Sequence, residues 1–335
     1  MGEVKRVVFM GSDAIALPTL RLLAEEESVE LVGVFTQPDR PAGRGNRLRS
    51  NPIKEWGVAN GLMIHEPEKP GETELVWLQE RNVELVIVMA YGHLLRPSLL
   101  EAVAGRYYNL HASLLPAYRG ASPVETALAE GEKFTGVSLM RIVSKMDAGP
   151  VVDREEVPIK DSDDGSSLRE KLALACVPLL NRNLGNLLAG RAKEQPQDDN
   201  AASYCRLLRK EDGRLDFTMQ ASRLTRRVAA FRAWPGCFFE VGSVRVKVGG
   251  AGALMKSVEA PPGEVLGERD GALEVATGEG VLALRQLQRP GGKMLATPEF
   301  LRGFSLPAGT KLAIDPALPL VARKPSFFSK NEKTG

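Results

Sequence analysis

A chain of 335 residues is long enough for two domains with cores of their own, and 43% hydrophobic and 26% charged residues are ordinary for a soluble globular protein. A net charge of +2 is too mild to name a nucleic-acid partner, so the placement of the arginines matters more than their number. Cys176, Cys205 and Cys237 form no C-x-x-C pair and no metal spacing, which predicts reduced thiols, no disulfide frame and no bound metal. No apolar run reaches bilayer length and the first residues do not read as a secretory signal, so no membrane is expected and the expected compartment is cytoplasmic.

In chain order, Val4–Met10 reads as a β-branched strand opening onto Gly11-Ser12-Asp13 and an amphipathic helix through Leu17, Leu20, Leu22 and Leu23. A second strand, Leu31–Thr36, completes a βαβ unit. Gly11–Ala16 lacks the second and third glycines of G-x-G-x-x-G, which argues against a nicotinamide enzyme. The stretch from Gln37 to Arg49 carries Arg40, Arg44, Arg47 and Arg49 among two prolines and two glycines with a single acid, so it reads as an exposed, mobile, cationic loop. The planar fork of arginine suits phosphates and base edges, although a plain solvated loop has the same composition. Pro52–Gly61 and Glu72–Arg81 read as helices and Leu85–Ala90 as a buried central strand. His65 reads as a strand-end residue. His93, in the turn after the central strand, is expected to face solvent and is left out of the chemistry.

Asn109–Asp147 concentrates the chemistry. Asn109 and His111 are two apart, so on a strand their side chains point the same way, at the end where open α/β sheets bind ligands. An amide and an imidazole N–H are donors suited to an oxygen that gains charge in a tetrahedral intermediate. A carboxylate beside the ring, supplied by Asp147, raises its basicity and relays a proton through water. No nucleophilic Ser or Cys is needed if the substrate brings its own amine. Taken singly, Asn109 also fits a turn, His111 a core histidine and Asp147 a loop cap. Pro123–Glu130 then reads as a helix, Val137–Ile142 as a strand, Val151–Ile159 as an antiparallel strand, and Ser166–Leu188 as a long helix of period near 3.6.

Gly190–Ser203 is polar and without periodicity, the composition of a linker. Thr218–Phe231 reads as a helix with Leu224, Val228 and Phe231 on one face, flanked by Arg223, Arg226 and Arg227. Cys237–Val241, Val244–Val248, Gly263–Leu266, Ala272–Ala276 and Val281–Leu287 read as the short strands of a small barrel, a familiar nucleic-acid platform. The last residues, from Ala322, read as disordered. There is no P-loop, zinc signature or nucleophile elbow.

The pattern N-x-H-x-S-L-L-P-x-x-R-G-x-x-P from Asn109 to Pro123, followed by T-G-V-S at Thr135–Ser138 and D-x-G-P-V from Asp147, resembles the folate-dependent formyltransferases, from about Val7 to about Phe304. The resemblance implies an α/β fold, with an N-terminal Rossmann-like formyltransferase domain on a mostly parallel sheet (residues 1–189). A linker (190–206), a C-terminal OB-like β-barrel domain that binds tRNA (207–320) and a disordered tail (321–335) follow. It implies 10-formyltetrahydrofolate as co-substrate, Asn109, His111 and Asp147 as catalytic trio, and Ser113, Leu114, Leu115 and Pro116 as the folate-contacting turn. The likeness is strongest to the branch whose acceptor is the α-amine of methionyl initiator tRNA. In that branch the Arg40–Arg49 loop wedges against RNA through Arg40, Arg44, Arg47 and Arg49, and Arg44 reads the end of the acceptor stem. A monomer is expected. The chain departs from the family's G-T-P-D-F-A at Gly11–Ala16, and has Asn46 where a lysine is common. Three alternatives stay open at this point: a formyltransferase acting on an amino-sugar nucleotide, a 10-formyltetrahydrofolate hydrolase, and a non-catalytic RNA-binding protein.

Overall fold

A computed structural model describes residues 3–42 and 47–325. The chain divides into two compact units, residues 1–120, 134–158 and 169–203 forming the first, and residues 121–133, 159–168 and 204–335 the second. Among the described residues no helix is long and apolar enough to cross a membrane.

The first unit begins with β1 (Lys5–Gly11), whose Val7, Val8, Phe9 and Met10 are fully buried. Asp13 caps a 3-10 turn by accepting from Ile15 N, and α1 (Leu17–Glu25) follows with Pro18 in its first turn, where a missing N–H costs nothing. β2 (Val29–Phe35) leads into a hairpin of β3 (Arg40–Ala42) and β4 (Arg47–Arg49). Asn51 caps α2 (Pro52–Ala59), its Oδ1 accepting from Ile53 N and Lys54 N. Next come β5 (Ile64–His65), α3 (Glu72–Glu80), β6 (Leu85–Met89), α4 (Pro97–Glu101) and β7 (Tyr107–His111). Beyond the two-residue β8 (Arg119–Gly120), the second unit takes α5 (Pro123–Glu130), and the first resumes with β9 (Phe134–Arg141) and β10 (Val151–Pro158). The helix α6 (Gly165–Leu188) follows.

One seven-stranded sheet organises this unit, in the order β10-β9-β7-β6-β1-β2-β5. The five strands from β5 to β7 are parallel, and β9 and β10 add on antiparallel. Every residue of β6 is buried, as a parallel strand covered on both faces requires. On one face Val8, Met10, Val86 and Val88 pack with Leu78 of α3 and Leu99 of α4. On the other, Met89 Sδ lies 3.6 Å from both Thr19 Oγ1 of α1 and Cys176 Sγ of α6. The strand order reverses direction between β1 and β6, and there Ser12 Oγ donates to Tyr91 O (3.1 Å) and Gln37 Nε2 to the same carbonyl (3.1 Å).

Three expectations change here. The stretch from Gln37 to Arg49 is a hairpin on either side of residues 43–46, with Arg40 opposite Arg49 and Ala42 opposite Arg47. Arg44 and Asn46 lie outside the described residues. The expected linker is strapped onto the first unit: Glu194 accepts from Tyr108 Oη (3.0 Å) and Arg141 Nε (2.9 Å), and Gln195 exchanges both main-chain bonds with Val151 (2.8 Å each). His93 turns inward, edge-on to the Tyr91 ring (5.0 Å), and burial together with the charge of Arg40 lowers its pKa. His65 ends β5 as expected, stacked on Phe35 (4.7 Å).

The second unit holds α5, β11 (Tyr204–Cys205), α7 (Ala221–Ala230), β12 (Cys237–Val241), β13 (Val244–Leu254), β14 (Val265–Arg269), β15 (Ala272–Ala276), β16 (Val281–Gln288), β17 (Leu295–Ala296), α8 (Thr297–Gly303) and β18 (Val321–Ala322). Its main sheet is antiparallel and barrel-like, in the order β12-β13-β16-β15-β14, with β17 on β16. β13 runs six residues past its expected end, through Val248-Gly249-Gly250, where bulges let one long strand bend. Of the arginines that flank the apolar stripe of α7, Arg227 is buried, donating to Asp212 O (3.0 Å) and lying over Phe231 (5.2 Å), while Arg223 pairs with Glu130. Val321 and Ala322 pair with Cys205 and Tyr204, so order continues into the expected tail, whose residues 326–335 lie outside the description.

A Cβ added at Gly136 of β9 would sit 2.2 Å from Glu155 O and 2.5 Å from Leu114 Cδ2. Gly136→Ala is therefore expected to destabilise the protein by about 1–3 kcal/mol through overpacking. A thermal melt checks it, and an unchanged midpoint would contradict this packing.

Candidate active site

The end of β7 presents Asn109 and His111 on one face, with Leu110 on the other, as the strand's alternation requires. β7 is held in register on both sides, Asn109 opposite Val88 of β6 and Met140 of β9, His111 opposite Ser138. The Asn109 carboxamide is half-buried and makes no hydrogen bond to a described residue. His111 is buried, and its Nε2 lies 3.0 Å from Tyr118 O. A carbonyl only accepts, so Nε2 carries the proton of the neutral ring and Nδ1 presents its lone pair.

Nδ1 faces Asp147, with Oδ2 at 3.8 Å. That distance is an ion-pair approach rather than a hydrogen bond. It fits a neutral ring, whose bare Nδ1 and the carboxylate are both acceptors, and it allows direct pairing once the ring is protonated. Asp147 Oδ2 also accepts from Gly120 N (2.8 Å), which aims the carboxylate. The main chain of Asp147 is left-handed (φ 48°), a conformation that Asp tolerates better than most side chains. Gly149 completes the loop because a Cβ there would lie 1.8 Å from Arg141 O.

The turn after β7 is tied at every step. Ser113 N donates to His111 O (2.9 Å), Ser113 Oγ to Ala117 O (2.6 Å) and Ala117 N to Leu114 O (3.1 Å). Ser138 of β9 bridges it, donating from Oγ to Ser113 O (2.7 Å) and accepting from Leu115 N (2.9 Å). Arg154 of β10 donates to Leu115 O (2.9 Å), and the Leu115–Pro116 peptide is cis. Ser113 and Leu115 are buried, Leu114 and Pro116 half-buried.

The geometry thus brings together Asn109, His111, Asp147 and the turn 113–116 from the sequence expectations. Of the basic residues on the hairpin, Arg40 is paired with Glu68 (2.7 Å), and Arg47 and Arg49 are exposed. Sequence reasoning assigned no part to Tyr118, Ser138, Arg119, Gln197 or Ser203. Ser138 and Arg119 stood inside the quoted motifs, while Gln197 and Ser203 carry no local signal. All three cysteines are buried, and burial pushes the Cys176 and Cys237 thiols up to about 12, so both stay protonated and poor nucleophiles. The arrangement can polarise a carbonyl and move a proton.

The Formyl transferase profile matches residues 5–182, and the Formyl transferase, C-terminal domain profile matches residues 207–305. The methionyl-tRNA formyltransferase of Xanthomonas euvesicatoria pv. vesicatoria is 38% identical over 298 residues, which is 88% of this chain and 96% of that protein. That of Halorhodospira halophila is 38% identical over 304 residues, 91% of this chain and 98% of its own. Among solved structures, an N-formyltransferase from Helicobacter canadensis in complex with folinic acid and dTDP-3-aminofucose shares the fold, with a TM-score of 0.64 at 15% identity over 85% of this chain and 99% of its own. The two profile matches fall on the two halves of the sequence, and the curated relatives align with both, so the chain belongs to the formyl transferase family.

Proposed function

We propose that this protein transfers the formyl group of 10-formyltetrahydrofolate to the α-amino group of methionyl initiator tRNA, giving N-formylmethionyl-tRNA for translation initiation. The observation that carries the reading is an uncommitted carboxamide two residues from a histidine that faces a carboxylate, in a chain aligned with nearly the whole length of methionyl-tRNA formyltransferases. Catalysis is assigned to the part expected at residues 1–189 and RNA contact to the part at 207–320, with the hairpin arginines.

In this reading the uncharged amine attacks the formyl carbon and the carbonyl electron pair moves onto oxygen. Asn109 donates to that oxygen, and the His111 ring, when protonated at Nδ1, adds positive charge beside it. The effect of such donors is about 10²–10³ in rate each. Asp147 stabilises the protonated ring and, with a water molecule, carries the proton from the attacking amine to N10 as the carbon–N10 bond breaks. Holding both substrates at reacting distance supplies much of the remaining acceleration. The turn Ser113–Pro116 contacts the folate. Arg40 stands opposite Arg49 in the hairpin and is already paired with Glu68, so the exposed Arg47 and Arg49 are the hairpin cations offered to a polyanion.

Labelled formyl moving from the folate to methionine-charged initiator tRNA tests the whole reading. Formate release without an amine would indicate a hydrolase instead, and transfer only to an amino-sugar nucleotide would indicate another acceptor.

His111→Ala and Asp147→Asn are each expected to lower kcat by about 10²–10⁴ while folate binding changes little. Turnover within twofold of wild type in either would reject its role. Ser138→Ala removes both bridges to the turn and should weaken folate binding several-fold in equilibrium titration, with the fold retained by circular dichroism. Wild-type affinity would argue that the turn does not carry the folate. Replacing Arg47 and Arg49 together by Ala should weaken tRNA binding and flatten its log–log salt dependence by about one unit for each phosphate that is no longer neutralised. An unchanged slope would remove the hairpin from the RNA interface.

A further inference from the structure

Two non-glycine residues at the His111–Asp147 pair have a left-handed backbone: Tyr118 (φ 57°), whose carbonyl accepts from His111 Nε2, and Asp147 itself (φ 48°). Both are tied to the same stretch, residues 197–203. Tyr118 N donates to Ser203 Oγ (2.9 Å), Ser203 N to Pro116 O (3.2 Å) and Arg119 N to Ser203 O (2.9 Å). Gln197 Nε2 donates to Asp147 O (2.9 Å) and Gly149 O (2.6 Å), spanning the backbone on both sides of Ala148.

The Gln197 amide has only one workable orientation. Its Oε1 accepts from Arg119 Nε (3.1 Å) and Nη2 (2.8 Å), and Arg119 is completely buried with Nη1 on Asp199 Oδ1 (2.8 Å). Turned over, the amide would set N–H against guanidinium N–H and oxygen against two carbonyl oxygens. Asp199 in turn meets Lys145, two residues before Asp147.

We infer that Gln197, oriented by the buried guanidinium of Arg119, is a positioning residue for the reaction: it holds the Asp147 main chain in the left-handed conformation from which the carboxylate faces His111 Nδ1. The inference rests on the role given to Asp147 under Proposed function. Gln197 touches neither substrate nor the reacting atoms.

Gln197→Glu separates positioning from simple support. It keeps the size of the side chain and the acceptor for Arg119, and it replaces the donor to Asp147 O and Gly149 O by an oxygen that repels them. Formyl transfer, folate binding and melting temperature are measured for Gln197→Glu, Asp147→Asn and the double variant. The expected result is a kcat lower by about tenfold to a hundredfold, the scale of a misplacement near 1 Å, with folate affinity within twofold and a melt within a few degrees. In the Asp147→Asn background the second change should cost less than twofold, because the group it positions is already disabled. If Gln197→Glu does not fold, Gln197→Asn takes its place, with an amide too short to span both carbonyls. A single variant with wild-type kcat, a loss that adds in full to that of Asp147→Asn, or a loss matched in folate affinity and melting temperature would each overturn the inference. Wild-type turnover in Asp147→Asn would overturn the reading of Asp147 itself and this inference with it. Impaired Asp147→Asn beside a normal Gln197→Glu overturns the positioning role alone.

Discussion

The bond between His111 Nε2 and the Tyr118 carbonyl decides what the site can do. It commits one ring nitrogen to a group that only accepts, which leaves the Nδ1 lone pair on the side where Asp147 lies. A ring free to turn over would average between two tautomers, and only one of these has its basic nitrogen beside the acid. The fixed tautomer depends on Tyr118 keeping a left-handed main chain, which a bulky side chain disfavours by about 1–3 kcal/mol. Ser203, eighty-five positions later, supplies the hydrogen bond that offsets part of that cost.

The same logic runs through the turn at Ser113–Pro116. Its backbone forms no sheet bonds, and its polar groups find particular partners instead: Ser138 from β9, Arg154 from β10, Ser203, and its own Ser113 and Ala117. The antiparallel addition of β9 and β10 to a parallel sheet is what brings these side chains alongside the turn. Gly136 lets Leu114 lie against β9, and Gly149 lets the Asp147 loop close on Arg141. The fold positions the chemistry through the two strands that break its parallel rule.

Much of the framework was legible because periodicity reports it directly. The buried run at β6, the period-3.6 face of α6 and the two-residue spacing of Asn109 and His111 need no knowledge of distant contacts. Residues 190–203 read as a linker for an equally physical reason. Their order comes from side chains that bond main chain or side chains 50 to 86 positions away, such as Gln197 to Asp147 and Glu194 to Tyr108, and such bonds leave no period. The hairpin at Arg40–Arg49 was hidden by its prolines and glycines. The burial of Arg227 leaves no mark in the sequence, because a charged residue next to an apolar stripe normally points to water; here its guanidinium donates to the Asp212 carbonyl and lies over the Phe231 ring.

Against this tightly bonded surround, Asn109 stands out by having no protein partner for its amide among the described residues. A donor already bonded within the protein would have to break that bond to serve a developing oxyanion, and the exchange would return little. A half-buried donor facing solvent gives up only water, and its strand is clamped on both sides by β6 and β9, so its direction is set before any substrate arrives. Stabilisation of a charge that appears only during reaction requires this combination of a fixed backbone and an unspent hydrogen bond. In the proposed reaction, the many bonds around Tyr118, Asp147 and the turn would serve the one that is left unmade.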